Sequence, residues 1–148
     1  MIKFILFASI ILSFIISSEK QEIIESLEEY YRAFEKADYS KIADCFDYPM
    51  SFNLENKTIT ASNKFKLKLI YRKIRGELPD YYSYSKIEKI NIQLTDNNIA
   101  IINANFSRYK NDSTAFHSES AQYYLRFKKN KWKIFSMTPY KNIKKLDE

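Results

Sequence analysis

At 148 residues, with one histidine, one cysteine and one glycine, the chain has room for one domain with a sizeable core. It lacks the ligands for a structural zinc site, the partner for an internal disulfide and the glycines for a phosphate cradle. A composition of 45% apolar and 28% charged residues excludes a disordered tail or a membrane-embedded protein, and the net charge of +6 is spread through every segment rather than gathered into a nucleic-acid footprint.

The N-terminus reads as a secretory leader. Lys3 supplies a positive charge, Phe4 to Ile16 is apolar apart from Ser9 and Ser13, and Ser17-Ser18 precedes Glu19. The apolar run is shorter than the roughly 20 residues of a membrane span. The expected organisation is therefore a signal peptide over 1–18, one domain over 19–140 and a polar tail over 141–148, in a secreted or periplasmic protein. An uncleaved anchor is the alternative. Cleavage after Ser18 removes Lys3 and takes the net charge from +6 to +5. Cys45 reads as a structural thiol on a helix.

From Glu22 to Lys36, Ile23, Leu27, Tyr30, Tyr31 and Phe34 recur at spacings of three and four, which predicts a helix with one apolar stripe. Asp38 to Ser40 can cap a short second helix over Lys41 to Phe46, which carries Ile42, Cys45 and Phe46 inward and is ended by Pro49. Met50 to Leu54 alternates as a strand, and a turn at Glu55-Asn56 leads to a partner over Lys57 to Thr60. Ser62 can cap a third helix running to Arg75, with Phe65, Leu69, Ile70 and Ile74 facing inward and Gly76 as a left-handed stop. Its other face carries Lys64, Lys66, Lys68, Arg72 and Lys73. Because the apolar side is needed for the core, this face is expected to be simply solvated. Contact with an anionic membrane or an acidic partner is the alternative.

An antiparallel sheet is expected from Ser85 onward. Ile90, Ile92 and Leu94 share a face before a turn at Thr95 to Asn98. The stretches Ile99 to Tyr109 and Glu119 to Phe127 then alternate with period two, joined by a turn-rich loop from Lys110 to Thr114. A third strand, Trp132 to Met137, completes a meander. No serine sits in a nucleophile elbow, and no cofactor or metal is expected. An aromatic content of 16% points to a large interior or an aromatic-lined cavity.

This order of elements resembles the nuclear transport factor 2-like superfamily, which includes ketosteroid isomerase and the SnoaL-like polyketide cyclases. The resemblance covers about Gln21 to Tyr140. It rests on Tyr30-Tyr-Arg-Ala-Phe-Glu-Lys-Ala-Asp38 with Ile42-Ala-Asp-Cys-Phe46, and on Tyr124-Leu-Arg-Phe127 with Trp132-Lys-Ile134. Phe46-Asp-Tyr-Pro49 and Arg108 place it nearest to small members without an assigned activity. The resemblance implies an α+β cone: a strongly bent antiparallel sheet wrapped around three N-terminal helices, with a pocket at the open end. It also implies a position for each catalytic group of the isomerase. Tyr30 matches the tyrosine, but the base position falls on Leu54, beside Asn53, and the second acid position on Tyr123. Neither can replace a carboxyl, so the isomerase route, which needs a base of suitable pKa, is not expected.

If Tyr123 points into the cone, period two sends Glu119, Ala121, Leu125 and Phe127 with it, and Ala100, Ile102, Ala104, Phe106 and Arg108 line the facing strand. The expected ligand pocket is Tyr30, Phe34, Phe52, Leu54, Phe106, Arg108, Glu119 and Tyr123, suited to a small polar or anionic molecule or to a protein partner. A cyclase, dehydratase or hydrolase using Arg108, His117 and Glu119 is the alternative. A purely structural account makes Arg108–Glu119 a salt bridge closing the barrel end, with His117 solvated in the loop. Relatives bury the convex face in homodimers, which here would use Ile99, Ile101, Asn103 and Asn105. Nucleic acid, and membrane beyond the leader, are not expected as partners.

Overall fold

The computed structural model describes the backbone of residues 2–94 and 96–141, and side chains from Ser18 onward except that of Leu94. The leader expected over 1–18 and the tail expected over 141–148 therefore lie almost wholly outside the described side chains. Three helices come first: α1 (Ile2–Glu35), α2 (Tyr39–Asp44) and, after a hairpin of β1 (Phe46–Leu54) with β2 (Lys57–Ala61), α3 (Lys64–Gly76). Four long strands follow, β3 (Tyr82–Leu94), β4 (Ile99–Lys110), β5 (Ala115–Lys128) and β6 (Lys131–Tyr140). All six strands form one sheet in the order β2-β1-β6-β5-β4-β3, antiparallel except where β1 runs parallel to β6. The fold is the expected α+β cone, a curled sheet closed over its helices. Among the described residues, no helix is long and apolar enough to cross a membrane.

The stripe on α1 is buried as its spacing requires, with Ile23, Leu27, Tyr30, Tyr31 and Phe34 all in the core. Its wet side carries the Glu28–Arg32 pair at 3.5 Å. Asp38 caps α2, its carboxylate accepting from the Lys41 amide at 3.0 Å. The helix ends two residues earlier than expected, because the sheet begins at once: the Ile134 amide donates to the Cys45 carbonyl at 3.0 Å, and Phe46 pairs with Ile134. Pro49 accordingly lies inside β1 instead of after a helix. It occupies the irregular stretch between Phe46 and Ser51 where the pairing with β6 is interrupted, and it precedes Met50, the first β1 residue paired with β2, so its missing N–H is tolerated.

Helix α3 departs most from expectation. Its cap is Asn63, whose side chain accepts from the Lys66 amide at 2.9 Å, and Ser62 lies outside the motif. Leu67 and Tyr71 are the buried residues, with Ile70 and Ile74 packed beside them. Phe65 and Leu69 turn outward. The two stripes share Ile70 and Ile74, and the core selects the one containing Tyr71. That ring packs on Tyr30, Phe34, Phe46 and Phe52 at 5.8–6.0 Å. Gly76 is the last helical residue and has no positive φ, so it is not a left-handed stop.

In the long strands the period-two alternation is realised. Ala100, Ile102, Ala104 and Phe106 of β4, and Ala121, Tyr123 and Leu125 of β5, face the helices. Irregularities between Ile87 and Lys89 of β3 and between Tyr124 and Leu125 of β5 accompany the curl of the sheet. The convex side carries polar side chains bonded across strands: Asn105 to Ser120 at 2.9 Å, Ser107 with Ser118 at 2.9 Å, and Asn53 to Ser136 at 2.9 Å. Trp132 is in the core, its ring 5.4 Å from that of Phe127.

Candidate functional site

Between α1, α3 and the concave face of the sheet lies a cavity of about 160 Å³. Helix α1 contributes Tyr30, Tyr31 and Phe34, and β1 contributes Phe52 and Leu54. Phe106 and Arg108 come from β4, and Glu119, Ala121 and Tyr123 from β5. All eight residues assigned to the pocket by sequence reasoning thus line one cavity. The same reasoning did not reach Tyr31, Tyr71, Ile74, Ser85, Met137 and Pro139, which also line it. Tyr31 was legible as part of the α1 stripe. Tyr71 was hidden because the sequence offers two overlapping stripes on α3.

Four tyrosine hydroxyls meet here. Tyr71 donates to Tyr30 at 3.0 Å, and the hydroxyls of Tyr31 and Tyr123 lie 2.8 Å apart. Burial dominates their acidity. It pushes Tyr30 up to about 12 and raises Tyr31, Tyr71 and Tyr123 well above the ordinary phenol value. At neutral pH all four are neutral donors and none serves as a base. One proton of each pair remains available: Tyr30 accepts from Tyr71 and donates to none of the described residues, and only one hydroxyl of the Tyr31–Tyr123 pair can donate to the other.

Arg108 forms no salt bridge with Glu119, so the barrel end is not closed by that pair. Arg108 stands opposite His117, while Glu119 stands opposite Phe106. The guanidinium instead lies over the Phe106 ring at 5.7 Å, and its Nε is buried without a hydrogen-bond partner. Arg75 also has a partnerless Nε, but its guanidinium donates to the Glu35 carbonyl at 3.4 Å and stacks on Tyr82 at 4.7 Å, away from the cavity. Arg108 is therefore the cation of the cavity wall, with Glu119 on the same wall but outside salt-bridge distance.

His117 is not solvated in the loop. Strand β5 extends back to Ala115 and carries His117 on the same side as Glu119, with Nε2 3.5 Å from Oε2. His117 does not line the cavity; Glu119 does, as its one carboxylate. The positions that would hold the isomerase base and second acid, Leu54 and Tyr123, both face the cavity without an acidic group. Cys45 lies outside it, its thiol donating to the Lys41 carbonyl at 3.2 Å and pushed up to about 12 by burial, so it is not a nucleophile. Among the described residues no cluster of three His, Cys, Asp or Glu is placed to hold a metal ion.

The cavity has room for about one aromatic ring. A cavity of about 150 Å³ in another protein admits benzene. Donors, not acceptors, dominate its polar wall.

Solved structures share this architecture. A protein of unknown function with a cystatin-like fold from Nostoc punctiforme superposes with a TM-score of 0.69 at 14% identity, over 81% of this chain and 88% of that one. An NTF2-like protein with a cystatin-like fold from Novosphingobium aromaticivorans gives 0.70 at 9% identity, over 89% and 87%. A protein proposed to be a dehydratase of the NTF2-like family, from Streptomyces avermitilis, gives 0.67 at 11% identity, over 86% and 99%. At such identities these likenesses speak for the fold alone. No curated protein matches the chain. The family model described as "NTF2-like protein (DUF6841)" matches residues 20–142, which take in the second half of α1, the other two helices and the whole sheet, and the chain belongs to that NTF2-like family.

Proposed function

We propose that this domain binds a small molecule in its cone, about one ring in size and carrying a carboxylate or similar anionic acceptor, without chemistry of the isomerase kind. The observation that carries the reading is Arg108, a cation on the cavity wall that no carboxylate approaches within salt-bridge distance and whose buried Nε no group among the described residues satisfies. An unmet buried donor costs about 1–3 kcal/mol, which an entering acceptor would offset. The spare tyrosine protons add neutral donors. The aromatic walls, Phe34, Phe52 and Phe106 among them, suit the apolar body of the ligand. Domain export after removal of 1–18, and a homodimer through the convex face at Ile99, Ile101, Asn103 and Asn105, belong to the same reading. A protein segment inserted in the cone is its variant.

Calorimetric titration with benzoate, benzamide and benzyl alcohol tests it. Benzoate should bind more tightly than its neutral analogues, and Arg108→Leu should weaken benzoate by about tenfold to a hundredfold while leaving benzamide unchanged. Equal affinity for all three, or for wild type and variant, would overturn the anionic reading. Native mass spectrometry of protein from its own host would show whether a molecule is retained, and dimer mass.

A second reading has its own observation, the 3.5 Å approach of His117 to Glu119 at the cavity wall. It makes the domain a dehydratase- or cyclase-type enzyme, with Glu119 as base, His117 positioning it and Arg108 holding the substrate. Turnover of small hydroxy acids that His117→Ala leaves untouched would exclude it.

A further inference from the structure

The outward face of α3 remains unexplained by the cavity. Phe65, Leu69, Arg72 and Gly76 follow one another at spacings of four, three and four and therefore share one face of the helix. Phe65 is 68% exposed and Leu69 46% exposed. Lys68 and Lys73 flank them, with Lys64 and Lys66 beyond, and no Asp or Glu occurs anywhere from Asn56 to Gly76. The sequence by itself predicts a solvated face, because it assigns Phe65 and Leu69 to the core. Since Leu67 and Tyr71 fill the core in their place, that reason no longer holds.

We propose that this face of α3 docks onto an anionic lipid surface, with Phe65 and Leu69 entering the headgroup–acyl boundary and the flanking lysines meeting phosphates. Three features favour lipid over an acidic protein. The apolar side chains of Phe65 and Leu69 are flanked by cationic ones on the same helix face, so both kinds meet one plane at once. The face is the convex outside of a helix whose opposite side is in the core, and a flat, deformable surface accepts it where a protein would need a matching groove. Much of the charge is also free for the task. Lys64 pairs with Asp44 and Lys73 approaches Glu77 at 4.0 Å, but Lys66 and Lys68 have no acidic partner within salt-bridge distance among the described residues.

The test uses the full chain with Phe65→Trp, whose emission reports on the α3 face even if the apolar stretch 4–16 also contacts lipid. With vesicles of 30% phosphatidylglycerol in phosphatidylcholine, the added emission should shift to the blue and be quenched by brominated acyl chains. Vesicles of phosphatidylcholine alone should give neither effect. Lys66→Ala with Lys68→Ala should weaken partitioning by about thirtyfold, from about fivefold per lysine. Circular dichroism confirms that the variants keep their fold. Three results would overturn the proposal: a residue 65 emission that stays solvent-like on bound vesicles, partitioning that ignores the two lysines, or a blue shift that rises with protein concentration without lipid, which would make the occupant a second copy of the chain.

Discussion

The hydroxyls of Tyr31 on α1 and Tyr123 on β5 lie 2.8 Å apart, fully inside the cone, so the pair pins the first helix to the sheet at the place where an isomerase would keep a protonated acid. Removing one hydroxyl leaves the other buried without a partner, whereas removing both leaves nothing unsatisfied. Tyr31→Phe and Tyr123→Phe should each cost about 1–3 kcal/mol, and the double variant clearly less than their sum. Urea unfolding of the four proteins gives the coupling energy. Strict additivity would mean that the two hydroxyls do not depend on one another.

Asp47 is the buried carboxylate of the described core, only 8% exposed, and is held by Arg126 at 2.8 Å and Lys128 at 2.9 Å. Burial by itself would raise its pKa, but the hydrogen bonds from Lys128 and Arg126 together outweigh it and hold the carboxyl below the ordinary value. A pKa depressed on folding contributes stability above the unfolded value of about 4, and that contribution is lost as pH falls through the folded one. Asp47→Asn should cost about 1–3 kcal/mol at pH 7, since both cations are half-exposed and screened, and the gap to wild type should narrow below about pH 4. Urea midpoints against pH check this. A gap that stays constant from pH 7 to pH 3 would contradict the assignment.

Trp132 opens β6 within the core. Trp132→Ala should destabilise the domain by about 3–5 kcal/mol, read as a lower urea midpoint with unchanged slope. Unaltered melting would place that ring outside the packing that closes the cone.

Gly76 offers a prediction of the opposite sign. Its backbone is right-handed, and a Cβ there would meet nothing within 4 Å. Gly76→Ala should therefore stabilise by about 0.4–1 kcal/mol through the unfolded chain. A loss of stability would restore the left-handed stop that the sequence suggests.

Sequence patterning determined much of this protein. Alternation in Ile99 to Tyr109 and Glu119 to Phe127 sorts each strand into two faces, and the resemblance, by placing Tyr123 inside the cone, says which face is inner. The α1 stripe is unambiguous. Patterning and resemblance together placed Tyr30, Phe34, Phe106, Arg108, Glu119 and Tyr123 on the concave side, with Phe52 and Leu54. Only tertiary structure decided the rest. On α3 two stripes satisfy the same helical period, and the aromatic cluster around Tyr30 chose Tyr71 over Phe65 and Leu69, which released a cationic, apolar face to the outside. At the hairpin, alternation says which side Arg108 and Glu119 share but not which residues stand opposite one another. The tertiary arrangement keeps the guanidinium outside salt-bridge distance of Glu119 and leaves its Nε buried without a partner among the described residues, which makes Arg108 the cation of the cavity wall.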